Sequence, residues 1–273
     1  MKRFCFVMAL FLANAFAFGA MDSLSVPVGA SGIQSPTGIW WPQESQLSVK
    51  STKAQKSQNA KKAKKEQTKS AASNIVKSSV VVWFHGGMGS SNCAKGLDAG
   101  AGFAELYPGK IVVSVSACRE NHWVTKGMID AVDAALDSVA ARRKSPIEKV
   151  SLVGISDGSL GVLTYSLEGR RAVENRLLMS SFGGFLGEPQ AIASQKKMQS
   201  GRFRFLQGGK DRLYPSDKTV PWITEFCKAV QVDCELRFDP EGEHDWSYWK
   251  NYRMDWIIDA VGEKESRLFK VSP

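Results

Sequence analysis

From Ser78 onward the chain alternates between short, nearly uninterrupted apolar runs and longer stretches in which apolar residues recur every three or four positions. The runs Val80 to Phe84, Ile111 to Val115, Val150 to Ile155, Leu177 to Phe182, Phe203 to Leu206 and Cys234 to Phe238 read as strands. Between them, Gly127 to Arg143 places Met128, Ala131, Val132, Ala135, Leu136 and Val139 on one helical face. Ser159 to Leu167, Lys218 to Val230 and Trp246 to Val261 are expected as further helices. Strands apolar on both faces, alternating with helices, predict an α/β fold: a mostly parallel sheet with helices on both faces. The longest insertion, near residues 183–200, is too short for a large lid.

The chain before Ser78 is different. Met1-Lys2-Arg3 is a basic start, Phe4 to Leu12 is apolar, and Ala15-Phe16-Ala17 offers a cleavage site. Residues 1–19 therefore read as a secretory signal peptide, shorter than the ~20 apolar residues a membrane span needs. The expected location is secreted or periplasmic. Residues 20–77 read as an N-terminal extension, rich in Ser, Gln, Lys and Ala, with Ile39-Trp40-Trp41 as its apolar island, read as a short strand or a patch docking on the domain. Between Lys50 and Ser70 stand eight lysines and one glutamate, so most of the formal charge of +9 belongs to this stretch. A basic tail on a near-neutral body argues against a nucleic-acid-binding domain. The lysines are expected to form a flexible linker, with weak binding to anionic envelope polymers as its functional variant. The third unit, residues 78–273, is long enough to bury one substantial core. Small-ester turnover is expected to survive deletion of residues 20–70.

Four cysteines remain after residue 19: Cys93, Cys118, Cys227 and Cys234. An even number in an oxidising compartment predicts disulfides. The pairs expected are Cys93–Cys118 and Cys227–Cys234; two other connectivities stay open.

The chemistry centres on Gly154-Ile155-Ser156-Asp157-Gly158, directly after an apolar run and directly before a helical segment. A strand-to-helix turn of G-x-S-x-G form holds its serine in a strained conformation, and the small flanking residues let strand and helix approach. A serine hydroxyl needs a base to remove its proton during attack. Of the three histidines, His244 is the one in a suitable place, in a loop between the last strand and the last helix. Asp211, after Gly208-Gly209-Lys210, is expected to orient His244. Asp239 is its competitor, while Asp217 fits a helix cap better. His85-Gly86-Gly87 precedes them, and bare glycine amides there would bind an oxyanion together with the N–H of Asp157. His85 itself is read as structural, and the acidic Asp157 side chain as standing near the mouth of the site. His122, Trp123, Tyr214 and Trp246 are candidate substrate-lining residues, with core packing the alternative for the tryptophans. Three dispersed histidines give no recognisable metal spacing, and no cofactor is expected.

These pieces resemble the α/β-hydrolases. VVVWFHGG, GISDGS, GGKDRLYP and GEHDWSYW carry the resemblance, and the last block is similar to the esterase D-like branch with its feruloyl, acetyl-xylan and siderophore esterases. The resemblance covers about Ser78 to Val261. It implies a Ser156–His244–Asp211 triad and an acyl-enzyme mechanism, hence an exported serine esterase acting on small-molecule or polysaccharide esters. An exported peptidase or acyltransferase of the same fold, or a non-catalytic envelope-binding protein, are the alternatives.

Overall fold

A computed structural model describes residues 20–42 and 79–262, apart from Met88 and Glu120. The expected signal peptide and the lysine-rich linker lie outside the described residues. Eight strands form one sheet in the order β1-β2-β4-β3-β5-β6-β7-β8. They are β1 (Met21–Pro27), β2 (Gln34–Trp40), β3 (Val80–Phe84), β4 (Ile111–Val115), β5 (Lys149–Ile155), β6 (Ala172–Met179), β7 (Arg202–Gly208) and β8 (Cys234–Asp239). β3 to β8 run parallel, while β1 and β2 pair antiparallel at one edge, β2 lying against β4.

The parallel strands are apolar on both faces because both faces are covered. Val80, Val82 and Phe84 of β3 point into one core, and Val81 and Trp83 into the other. The first core is closed by α2 (Lys126–Arg143), α3 (Asp157–Glu168) and α5 (Ser216–Ala229), through residues such as Leu136, Leu163 and Phe226. The second is closed by α1 (Lys95–Ala104), α6 (Trp246–Tyr252) and α7 (Met254–Val261), through Phe103, Trp249 and Ile257. The short α4 (Pro189–Ala193) sits in the insertion after β6. α2 starts where the Thr125 hydroxyl accepts from the Met128 amide and stops at Lys144, whose φ of 55° is left-handed.

Two expectations need correction. The extension drawn over residues 20–77 is part of the sheet at its start: residues 21–40 supply β1 and β2. Their short polar sequences hide this, but Trp40 is only 4% exposed and wedges into the second core. The helix expected over Trp246 to Val261 is two helices, broken at Arg253, whose backbone leaves helical geometry (φ −138°, ψ 31°).

Both expected disulfides are present: Cys93–Cys118, with Cα atoms 5.0 Å apart, and Cys227–Cys234, at 5.3 Å. Among the described residues no helix is long and apolar enough to cross a membrane.

The strand order sets the place of the site. The chain passes from β3 outward to β4, then returns to lay β5 on the other side of β3. That reversal opens a crevice beyond the carboxyl ends of β3 and β5, where ligands bind in open α/β sheets. His85 and Ser156 follow those two ends directly.

Candidate active site

Ser156 sits between β5 and α3 with φ 55° and ψ −123°, a conformation that costs a non-glycine residue about 1–3 kcal/mol. The surroundings hold it there. The Ser156 amide donates to Met179 O at 2.9 Å, and the buried Ser159 hydroxyl contacts Gly154 O and Met179 O at 3.0 Å each. A Cβ on Gly154 would stand 2.3 Å from Gly158 O. The turn thus lifts the Ser156 side chain to the surface at the head of α3.

The three residues expected to act together do meet. His244 Nε2 lies 2.8 Å from Ser156 Oγ, and its Nδ1 lies 2.9 Å from both carboxylate oxygens of Asp211. Nδ1 therefore carries the ring proton and donates it to Asp211, which leaves Nε2 to accept from the Ser156 hydroxyl. Asp211 is 3% exposed. Burial alone would raise its pKa, but hydrogen bonds from His244 and from the Tyr214 and Leu213 amides outweigh it and hold the carboxylate below its usual range. Gln207 adds its side-chain amide to Asp211 Oδ2 at 3.4 Å and to Tyr214 O at 3.0 Å. The competitor Asp239 is engaged elsewhere, accepting from the Tyr248 hydroxyl and paired with Arg253, both at 2.7 Å.

The glycine loop lies beside the serine. A Cβ on Gly86 would fall 3.3 Å from Ser156 Cβ. Gly87 has φ +96°, and its Cβ position is filled by the Lys95 ammonium, 2.0 Å from where that atom would be. His85 beneath the loop is 1% exposed; its Nδ1 donates to Gly86 O and its Nε2 accepts from the Ala117 amide, both at 2.9 Å. Burial lowers its pKa to about 4, so the ring is neutral and fixes the loop. The Asp157 amide, at the first position of α3, lacks a helical acceptor, whereas the Ser159 amide donates to Ser156 O at 2.9 Å.

The remaining candidates divide. Tyr214 stands edge-on to His244, with ring centres 5.1 Å apart. His122 Nδ1 accepts from the Val124 amide at 3.3 Å, so its Nε2 carries the proton and faces Asp157 Oδ1 at 2.9 Å. The Asp157 side chain is not at the mouth of the site: it is 3% exposed, and burial raises its pKa to about 6 against the opposing pull of His122 and Lys95. Trp123 is not substrate-lining either. It is fully buried against Phe84, and its indole donates to His85 O at 2.9 Å, supporting the glycine loop from below. Trp246 packs on Trp83 and Phe103, in the second core.

Sequence reasoning missed Lys95, Gln207, and an apolar rim. Phe185 (59% exposed) packs on Phe182 and Tyr214, and Leu213 is 63% exposed beside them. Lys95 had one available signal: it lies two residues after Cys93, which the expected disulfide brings to the loop before His122. Among the described residues no group of three His, Cys, Asp or Glu side chains is placed to hold a metal ion.

No family model matches the chain, and no curated protein matches its sequence. Solved structures do match. The fluorophosphonate-binding serine hydrolase FphF of Staphylococcus aureus aligns over 90% of this chain and 99% of its own, with TM-score 0.61 and 14% identity. An S-formylglutathione hydrolase of Agrobacterium tumefaciens aligns over the same shares, with TM-score 0.56 and 13% identity. An acylaminoacyl peptidase of Pyrococcus horikoshii gives TM-score 0.59 at 10% identity, over 92% of this chain but 43% of the peptidase. With these neighbours and this strand order, the chain has the α/β-hydrolase fold.

Proposed function

We propose that this chain is an exported serine esterase. The observation that carries the reading is the continuous relay Ser156 Oγ–His244 Nε2 at 2.8 Å and His244 Nδ1–Asp211 at 2.9 Å, ending on a serine held at positive φ. In the reaction, Ser156 Oγ attacks the ester carbonyl while His244 Nε2 takes its proton. Asp211 stabilises the imidazolium so formed. The carbonyl oxygen becomes an oxyanion, bound by the amides of Asp157 and the Gly86–Gly87 loop. Collapse of the intermediate expels the alcohol, protonated by His244, and leaves an acyl-enzyme on Ser156. Water, activated by the same histidine, releases the acid and restores the hydroxyl.

Ester hydrolysis is favoured over peptide hydrolysis by extent. The serine hydrolase and thioester-hydrolase neighbours align over 99% of their length, whereas the peptidase has more than half its chain without counterpart here. The site is open: no cover lies over Ser156 among the described residues, and the half-exposed Phe182 with Phe185 and Leu213 offers an apolar wall for the leaving alcohol. Export rests on the features of residues 1–19 and on the two disulfides.

The test is hydrolysis of p-nitrophenyl acetate and butyrate by the protein and by Ser156→Ala, with fluorophosphonate labelling in parallel. Turnover and labelling lost together in the variant support the reading. A folded protein that neither turns over these esters nor takes the label would instead be a binding protein built on a hydrolase fold.

A further inference from the structure

Lys95 is not needed for the relay, yet its ammonium stands over the glycine loop beside the serine. Its place is built. Gly87, at φ +96°, is a position only glycine adopts without strain, and a Cβ there would occupy the ammonium's own volume, 2.0 Å from Nζ. Lys95 is half-buried, and among the described residues its ammonium makes no hydrogen bond or close ion pair. The neighbouring carboxylate is Asp157, whose attraction to Lys95 is long-range. Asp157 turns its Oδ1 inward to His122 at 2.9 Å, off the axis of a hydrogen bond, so that the atom is buried and unsatisfied. An anion arriving from solvent therefore meets the Lys95 ammonium and not the carboxylate below it.

Resting on the esterase reading, we propose that Lys95 is the specificity determinant of this site, selecting esters whose acyl half carries a carboxylate or a comparable anion. The direction follows from the proton relay. His244 must protonate the leaving oxygen, so the alcohol half lies along His244, Tyr214 and Phe185. The carbonyl oxygen points at the oxyanion amides, so the acyl half takes the remaining direction, away from His244 and past the Gly87 end of the loop, where Lys95 stands. His122 lies against the same carboxylate, its Nε2 2.9 Å from Asp157 Oδ1, so the close contact of Asp157 is with His122 and not with Lys95. A half-buried ammonium with few partners binds a carboxylate more strongly than a fully hydrated one, because less water screens the pair.

The test compares the p-nitrophenyl monoester of adipic acid with p-nitrophenyl methyl adipate, its uncharged counterpart. The wild-type protein should favour the anionic ester by about tenfold or more in kcat/KM, a difference of about 1.4 kcal/mol. Lys95→Met should lose that preference while cleaving the neutral ester within about threefold of wild type, and Lys95→Arg should keep most of it. An unchanged preference in Lys95→Met overturns the proposal. So does an equal fall for both esters, which would assign Lys95 to support of the oxyanion. A second measurement needs no turnover and no stable Lys95 variant: adipate should bind Ser156→Ala, and absence of binding at about 50 mM overturns the proposal. If adipate binds but the wild type cleaves neither ester and resists fluorophosphonate, the anion site stands and the esterase reading falls.

Discussion

Gly158 approaches Phe84 so closely that a Cβ on the glycine would lie 2.0 Å from the Phe84 carbonyl oxygen. Two neighbouring strands and the first turn of α3 converge there, one residue from Asp157 and two from Ser156. The obstacle is backbone, which cannot rotate away as a side chain can. Gly158→Ala is therefore expected to cost at least about 3 kcal/mol of stability, read from urea denaturation. A variant that melts with wild type would mean that the turn has more slack than its geometry implies.

Gln207 is fully buried, and its amide nitrogen faces Asp211 and the Tyr214 carbonyl. Hydrogen bonds to a charged group contribute about 1.5–3 kcal/mol. Gln207→Met keeps the volume and removes the donor, so Asp211 loses its 3.4 Å contact with that amide and the Tyr214 carbonyl loses its hydrogen bond. The expected outcome is a fall in kcat of about tenfold or more with KM little changed. A change confined to KM would contradict a role in positioning the Asp211–His244 pair.

Asp157 sets a testable pH dependence. Its pKa is raised to about 6 from an ordinary 3.8, with burial the main cause. The folded state therefore takes up a proton where the unfolded chain does not, between pH 6 and 3.8. Its ionisation weakens the fold above pH 6, and that penalty disappears as pH falls through the window. Asp157→Asn should be more stable than wild type at pH 8, by about 3 kcal/mol at most, with the gap closing by pH 4. His85 acts oppositely: burial lowers its pKa to about 4, so the stability it contributes is lost as pH falls from 6.5 toward 4. A gap that persists at pH 4 would show that the introduced amide stabilises by packing and not by removing a charge.

Trp40 carries the edge of the sheet. Its ring lies where Cβ atoms on Gly38 and Gly100 would fall, at 2.3 and 2.4 Å, so it locks β2 onto α1. Trp40→Ala should cost about 3–5 kcal/mol, and deletion of residues 20–42 should cost more. Soluble, fully active protein lacking residues 20–42 would show that the edge strands are dispensable.

The parallel strands were legible because strands buried on both faces are written as apolar runs; five of the six appear in place, while the run read over Leu177–Phe182 belongs to β6, which starts at Ala172 and ends at Met179. β1 was not, since Met21–Pro27 alternates exposed and half-buried residues, and β2 showed only its Ile39-Trp40 end, because the residues before it include Pro36 and Gly38. α1 was hidden for another reason. Gly96 and Gly100 weaken its intrinsic helical preference, and they are there because β4 and Trp40 press against them: a Cβ on Gly96 would meet Val115 O at 2.6 Å. Missing α1 meant missing Lys95. Ser156, Asp211 and His244 could be read from chain order and from their places after strands. Trp123 could not be assigned to core or cleft, because an aromatic residue after a strand fits either, and only packing against Phe84 and His85 decides it.

The Cys93–Cys118 bond joins the segment leading to Lys95 with the segment leading to His122, and the Arg119 amide donates to Ser90 O at 2.8 Å alongside it. One covalent link thus restrains both loops that flank the glycine turn, removing freedom they would otherwise retain in the reduced chain. In the reduced chain the serine, histidine and aspartate would keep their places on the sheet while the rim beside them lost its fastening.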